Sequence, residues 1–493
     1  MVHPLEIVYA TWLADDEKER QQNVVLAREY YFGEHAVPLT DRQMEFLGFK
    51  APKPRFALNY CAIIVAAVAE RMIVKRFKTD TNDENLEKWA ADLWRTNRMD
   101  QRQGNAHLGA TRDAEYFVIV DWDKEAERPR ILPHPRYTDP TLDGDGFGCK
   151  AHYVDDDPIQ PMRYASKRWI ETRWEGDRRI TLPRMNLYWP DRVEWYTLSG
   201  GGNTTNWELE RIEPWTVGGA DPGAYDDDGL WMPNEAAEPR GIPVFHFINT
   251  DAQSELWDAI PIQDAINKSA LDTLGAADAA GFPITVIRGA EATTDGKDPE
   301  SDGSNYLKFH PGMVIGGLDP AGGIDRLECA NLDQMLNLVD SLIFKLAQVT
   351  GTPVTRFQTS KQIAAEGTLK QQEEPLVAKV REKQTRYGNT WEDAIGFARQ
   401  LHNEMGGTPK LDENARLETE WEPAQARDEM ADDKAFWEAA GAARRAGCPL
   451  PVWLELQGWD EAKIAKVTES MEYKAREAQS QMGLEMARGG FGG

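Results

Sequence analysis

Pro243-Val-Phe-His-Phe-Ile-Asn249 and then Ser254-Glu-Leu-Trp-Asp-Ala-Ile-Pro-Ile-Gln-Asp-Ala-Ile-Asn267 mark the point where the texture of the chain changes. The first run is aromatic and β-branched and reads as a strand. The second opens a helix over Ser254 to Ala280, with Leu256, Ile260, Ile262, Ile266, Leu271 and Leu274 on successive turns and Pro261 bending its start. Downstream, Phe282-Pro-Ile-Thr-Val-Ile287, the polar loop Glu291 to Asn305, Tyr306-Leu-Lys-Phe309 and the Gly-rich run Gly312 to Gly323 form a small β hairpin module. Helical spacing resumes at Leu332, Leu336, Val339, Ile343 and Leu346, with Asn331 or Asp333 as its cap, and Gly351-Thr-Pro353 ends it. Two helices therefore bracket a β module.

Beyond Gly351 a polar stretch, Val354 to Lys361, leads into a long helical pattern from Gln362 to about Asn403. Pro375 interrupts it and predicts a kink, because proline removes a backbone donor and clashes with the preceding turn. Val380, Tyr387, Trp391, Ile395 and Leu401 keep one broad apolar face. A short strand, Ala415 to Trp421, precedes two helices, Gln425 to Ala446 and Pro451 to Ala487, and Gly489 to Gly493 should fray.

Upstream, Pro4 to Phe32 reads as a helix stopped by Gly33, and Asn59 to Phe77 as a buried helix capped by Asn59. Two more helices, Asn85 to Arg95 and Arg98 to Ala114, run into a strand at Tyr116 to Trp122. From Ile131 to Phe247 short aromatic runs separated by Pro, Gly and Asp predict an antiparallel β region. Gly200 to Thr205 and Gly218 to Gly229 read as turn-forming loops. The fold class is α+β, mainly helical.

With 41% hydrophobic and 10% aromatic residues, the 493-residue chain can bury a large core, which excludes a disordered protein. Its formal charge of −26 excludes a generally basic nucleic-acid binder. Any DNA it meets faces a surface that repels phosphate and lets it slide past. Cys61, Cys149, Cys329 and Cys448 stand far apart and read as reduced structural thiols without zinc spacing. The longest purely apolar run, Tyr60 to Ala69, is too short for a membrane span of about 20 residues. The N-terminus lacks the pattern of a signal peptide, so synthesis in the cytosol is expected.

Motifs for catalysis are missing. Gly289 to Asp298 fails as a phosphate loop, since Glu291 stands where glycine is needed and Asp298 where Ser or Thr belongs. Asp143-Gly-Asp-Gly-Phe-Gly148 starts like a calcium loop, but Phe147 and Val154 occupy ligand positions. His134 and His152 have no partner at ligand spacing. Asp155 to Asp157 and Asp226 to Asp228 would be the metal sites of a metal-dependent nuclease or hydrolase, the alternative enzyme reading, although short acidic runs are usually solvated turns. No metal and no cofactor is expected.

Four stretches together resemble the portal proteins of tailed bacteriophages, in the long-tailed subgroup. These are Asn59 to Phe77, Leu93-Trp-Arg-Thr-Asn-Arg-Met-Asp100, Pro243 to Asn267, and Gly351 to Val377, which includes Glu366-Gly-Thr-Leu-Lys-Gln-Gln-Glu-Glu-Pro-Leu376. Glu115, before Tyr116, departs from the small residue and glycine of many relatives. The resemblance implies a homo-oligomeric ring of about twelve subunits at one capsid vertex of the virion, the conduit for double-stranded DNA during packaging and ejection. It implies a wing (1–253), a first stem helix (254–280), a clip (281–330), a second stem helix (331–350), a tunnel loop (351–361), a long kinked helix returning to the wing (362–424) and a crown (425–493).

By the same resemblance Thr352, Arg356, Gln358, Thr359, Ser360, Lys361 and Lys345 would face DNA, and Ile284, Val286, Tyr306, Leu307 and Phe309 would make clip contacts between subunits or to the adaptor. The implied partners are the terminase packaging motor, the head-tail adaptor, the major capsid protein and its scaffold, with no membrane. A non-ring protein-binding scaffold is the other competing reading.

Overall fold

Strand Val244–Ile248 lies at the edge of a three-stranded antiparallel sheet and hands the chain to a pair of helices. In the computed structural model the described residues are 15–37, 39, 44, 58–123, 125–138, 148–190, 193–198, 212–214, 241–281, 285–287, 314–316, 324–326, 331–357, 366–425 and 429–457, with isolated positions 464, 465, 467, 468 and 479. The chain forms two compact units, Met1–Ala424 and Gln425–Gly493.

The first unit begins with α1 (Asp15–Phe32) and α2 (Cys61–Ala69). Pro4 to Ala14 lies outside the described residues. The helix expected to run from Asn59 to Phe77 stops at Ala69, and Val74–Thr79 is instead a strand, β1. The reason is tertiary: β1 pairs antiparallel with β13 (Leu417–Trp421), which lies far along the sequence. Val74, Phe77 and Thr79 then bury one face while Lys75 and Lys78 stay in solvent. Asn59 does help to start α2, its side-chain oxygen accepting the Cys61 N–H at 3.1 Å.

Helices α3 (Glu84–Thr96) and α4 (Met99–Asp113) follow, the first capped by Asp83, whose carboxylate accepts from the Asn85 and Leu86 amides. β2 (Glu115–Asp123) is almost wholly buried and sits between β3 (Arg128–Pro135) and β9 (Val244–Ile248). Gly109 of α4 is required by close packing, because a side chain there would penetrate the Tyr116 ring. The region between these strands holds the expected antiparallel sheet, β4 (Gly148–Tyr153), β5 (Met162–Glu175), β6 (Arg178–Tyr188), β7 (Val193–Leu198) and β8 (Ile212–Pro214), in sequential order. Gly200 to Thr205 and Gly218 to Gly229 lie outside the described residues.

Helix α5 (Ile260–Gly281) starts later than the sequence suggests. Pro261 falls in its first turn, where a missing N–H costs nothing, so the proline marks the start of the helix. The expected hairpin module is a mixed sheet instead, with β10 (Thr285–Ile287) parallel to β11 (Val314–Gly316) and antiparallel to β12 (Ile324–Arg326). Parallel neighbours need a crossover, so no tight turn joins β10 to β11. Ile284, Tyr306, Leu307 and Phe309 lie outside the described residues.

Helix α6 (Leu332–Thr350) is capped by Asn331, which accepts from the Asp333 and Gln334 amides, and ends at Gly351 with φ of 63°. Helix α7 (Glu366–Glu404) continues through Pro375. Its buried face, including Tyr387, Trp391, Ile395 and Leu401, packs with β2, β9 and β13 in the main core. In the second unit α8 (Glu429–Arg445) and α9 (Leu450–Leu456) form a helical pair with Phe436 against Trp453. Most of the expected extension to Ala487 lies outside the described residues, as does the Gly489 to Gly493 tail.

Candidate functional site

Helices α5 and α6 pack against one another and share an apolar core with α1 and α2. Leu256, Ala259 and Ile266 meet Val339, Ile343 and Leu346, with Ile64, Val65 and Cys61 closing the cluster. Polar groups fix the register of α5. Gln263 and Asn267, both fully buried, stand one turn apart and grip the chain entering α2. The Gln263 amide donates to the Leu58 carbonyl at 2.6 Å and accepts the Tyr60 N–H at 3.1 Å, while Asn267 accepts the Leu58 N–H at 2.9 Å. Tyr30 of α1 donates to Asp264 at 2.7 Å.

At the N-terminal approach to α5 and the C-terminus of α6, the same end of the pair, a buried charge cluster ties both helices to α7. Lys379 donates to Glu255 and to the Thr350 carbonyl, each at 2.7 Å. It thereby places a cation on the orphan carbonyls at the C-terminus of α6. Lys383, one turn further along α7, is 2.6 Å from the other Glu255 oxygen and also donates to Asn249. The Asn249 amide donates to Gln253 at 2.7 Å, holding the turn between β9 and α5. Burial by itself would raise the Glu255 carboxyl, but Lys383 and Lys379 overcome it and hold the group below its usual range. Burial dominates at Lys383 and lowers its ammonium despite Glu255.

The loop after α6 is built from the same cluster. The Thr350 hydroxyl donates back to Leu346 at 2.8 Å and stands 3.1 Å from the Thr352 hydroxyl. Thr352 is itself buried, at 3% exposure, so its side chain organises the loop from within the protomer. A single 3-10 turn, Val354–Arg356, follows, and Phe357 meets Tyr60 edge-on at 5.8 Å. Arg356 is part-exposed and 3.1 Å from Glu70. Lys345 is exposed on α6. Gln358, Thr359, Ser360 and Lys361 lie outside the described residues. Val286 sits in the central strand of the small mixed sheet, opposite Ile315 and Asp325, and Pro375 is on the exposed side of α7.

Charge and polarity on the helix pair are uneven. Asp264, Asp272, Asp278, Asp333 and Asp340 stand against Lys268 and Lys345, leaving an acidic pair. Four large apolar side chains of α6, Leu336, Leu338, Phe344 and Val349, are about half exposed in the isolated chain. The residues that hold the site together, Asn249, Glu255, Lys379 and Lys383, escaped sequence reading. Asn249 and Glu255 lie in the strand-to-helix stretch with no local signal of their own, and only the two-lysine spacing of one helical turn marks a shared face.

The acidic run Asp155 to Asp157 is part of no metal-holding cluster among the described residues. Asp155 to Asp157 form a short turn, with Asp157 accepting the Ile159 N–H at 3.0 Å, and Asp226 to Asp228 lie outside the described residues. Among the described residues no three His, Cys, Asp or Glu side chains converge on a metal position, and no helix is long and apolar enough to cross a membrane. His134 and His152 sit on strands, where burial pushes His134 down to about 3 and His152 well below its usual value.

The family described as "Phage portal protein, SPP1 Gp6-like" matches residues 11–447. The chain is 22% identical over 485 residues to a protein named portal protein from Mycobacterium phage D29, covering 91% of this chain and 87% of the relative. It is likewise 22% identical over 460 residues to the portal protein of Mycobacterium phage L5, covering 86% and 84%. With the match spanning α5 and α6, the buried cluster that anchors them and the long helix α7, this chain belongs to the SPP1 Gp6-like phage portal protein family, a structural family without enzymatic activity.

Proposed function

We propose that the protein forms a homo-oligomeric ring at the portal vertex of a virion, the passage for double-stranded DNA during packaging and ejection and the docking platform for the terminase motor and the head-tail adaptor. Family membership over residues 11–447 carries this reading. In it α5 and α6 are the stem helices, 281–330 the clip, 351–361 the tunnel loop, 425–493 the crown, and the remaining elements the wing. The major capsid protein and scaffold surround the wing.

The physical chemistry of the helix pair supports a passive conduit. An acidic wall, repeated around a ring, repels phosphate and leaves DNA free to slide. Arg356 and Lys345, with Gln358 to Lys361 in the following loop, supply sparse polar and cationic contacts that are salt-dependent and indifferent to sequence. The exposed apolar residues of α6 face the neighbouring subunit, and Val286 lies in a clip sheet that gains burial from its neighbours.

Mass photometry and negative-stain electron microscopy on the purified protein test the reading. The expected result is a ring with a central hole, at about twelve times the 55.6 kDa protomer mass. Purified protein that stays monomeric even with scaffold and capsid protein overturns it.

A further inference from the structure

A broad open groove of the first unit lies away from the helix pair. It encloses about 1460 Å³ between β9, the turn after β4, the outer face of α7 and the start of β13. One wall is a strand edge. In the β2–β9 ladder the Asn249 N–H donates to Ala114 at 2.8 Å and the Val120 N–H to Pro243 at 2.9 Å. Antiparallel strands alternate their bonding direction, so His246 and Ile248, both part-exposed, turn their N–H and C=O groups the other way, toward the groove, while Val244 at the start of the strand is buried. Among the described residues no strand pairs with that side, since β9 is the last strand in its sheet.

Natural edges of this kind are blunted by lysine, proline or a bulge, and Val-Phe-His-Phe-Ile carries none of these. Its floor is apolar and firm, with Phe245 held edge-on against Phe397 of α7 at 5.8 Å. Its lip is Ile159, which is 90% exposed at the tip of a turn.

The charge of the groove selects an occupant. Glu392, Asp393, Glu404, Glu413 and Glu418 line it, against three arginines. Two of those arginines are already engaged by the protein itself. Arg386 pairs with Glu382 at 3.0 Å, and Arg399 donates to the carbonyls of Asp412, Glu413 and Ala415. Burial and the neighbouring Glu392 push the Asp393 carboxyl upward.

We propose that this groove docks an extended, lysine- or arginine-bearing segment of a partner protein, which adds as a fourth strand along β9. The added backbone pairs with His246 and Ile248, its apolar side chains rest on Phe245 and Ile159, and its cations meet the carboxylates of α7 and the β13 approach. DNA is excluded by the same carboxylates. A second copy of this chain, with its charge of −26, is a poor donor of cations.

The test uses the full-length protein and a fluorescent octapeptide of alternating valine and lysine, read by fluorescence anisotropy. Two control peptides replace lysine by glutamate or carry N-methyl groups on alternate amides. The expected result is micromolar binding of the valine–lysine peptide, loss with either control, and binding about tenfold weaker to Asp393→Lys with unchanged melting temperature. Hydrogen exchange at the His246 and Ile248 amides should be fast without peptide and slow with it. No binding of the valine–lysine peptide, equal binding of the glutamate peptide, indifference to N-methylation or to Asp393→Lys, or protection of those amides in the ring before peptide is added would overturn the proposal, the last by showing a second copy already seated there.

Discussion

His107 shows how a residue type with several chemical roles is assigned one by its neighbours. It is fully buried, with Nδ1 2.7 Å from the Met72 carbonyl and Nε2 2.9 Å from the Trp391 indole nitrogen. A carbonyl only accepts and an indole N–H only donates, so the ring is neutral with its proton on Nδ1. Burial pushes its pKa down to about 4, consistent with that role as a fixed core bridge.

The carboxylates of the α4–β2 junction behave in the opposite sense. Asp113 is buried between Arg28 at 2.6 Å and Arg112 at 2.7 Å, and Glu115 stands 2.5 Å from Arg20. Burial would raise Asp113, but its arginines prevail and its folded pKa is depressed. Stability from such a group is complete above the unfolded aspartate value of about 4 and is lost as pH falls through the folded one. Thermal denaturation from pH 7 to pH 2 should therefore show a steep acid loss. Asp113→Asn should flatten that acid limb and lower stability at pH 7 by about 3 kcal/mol. An unchanged acid limb would assign the acid sensitivity to other groups.

At the scale of elements, the Glu255 cluster decides whether α5, α6 and α7 move as one. A buried ion pair broken on one side costs about 3 to 5 kcal/mol, because the remaining charge is left in a low-dielectric site. Glu255→Gln should cost about 3 kcal/mol in urea denaturation and loosen the Thr350 end of α6, seen as faster hydrogen exchange at Thr352. Adding Lys383→Met should restore part of the loss, since the stranded charge is then removed. Additive effects would show that the two residues act separately.

For the whole molecule, the isolated chain leaves Phe344 and Val349 of α6 about half exposed, at 49% and 54%. Apolar surface of that kind is covered on association. Phe344→Glu or Val349→Glu should leave the melting temperature of the protomer within a degree or two and shift the mass distribution from ring to monomer. A normal ring from both variants would move the subunit interface elsewhere.

Much of the element order was legible in the sequence, because it rests on local signals. Asn331 as a cap, Gly351 as a stop, the Tyr116 to Trp122 strand and the two helices bracketing a β module all follow from period and turn chemistry. Composition and charge excluded a membrane span and a basic nucleic-acid binder for equally local reasons. What only the tertiary structure decided are features whose partners are remote in sequence. Val74 to Thr79 became a strand because β13 lies opposite. Thr352 turned inward because Thr350 and Lys379 organise the end of α6. Glu255 found Lys379 and Lys383 more than a hundred residues away, and among the described residues β9 pairs with β2 only, which leaves its other edge open. Periodicity reports which face of an element is apolar. It carries no information about which distant element will cover that face, and buried charges are settled only when the partners meet.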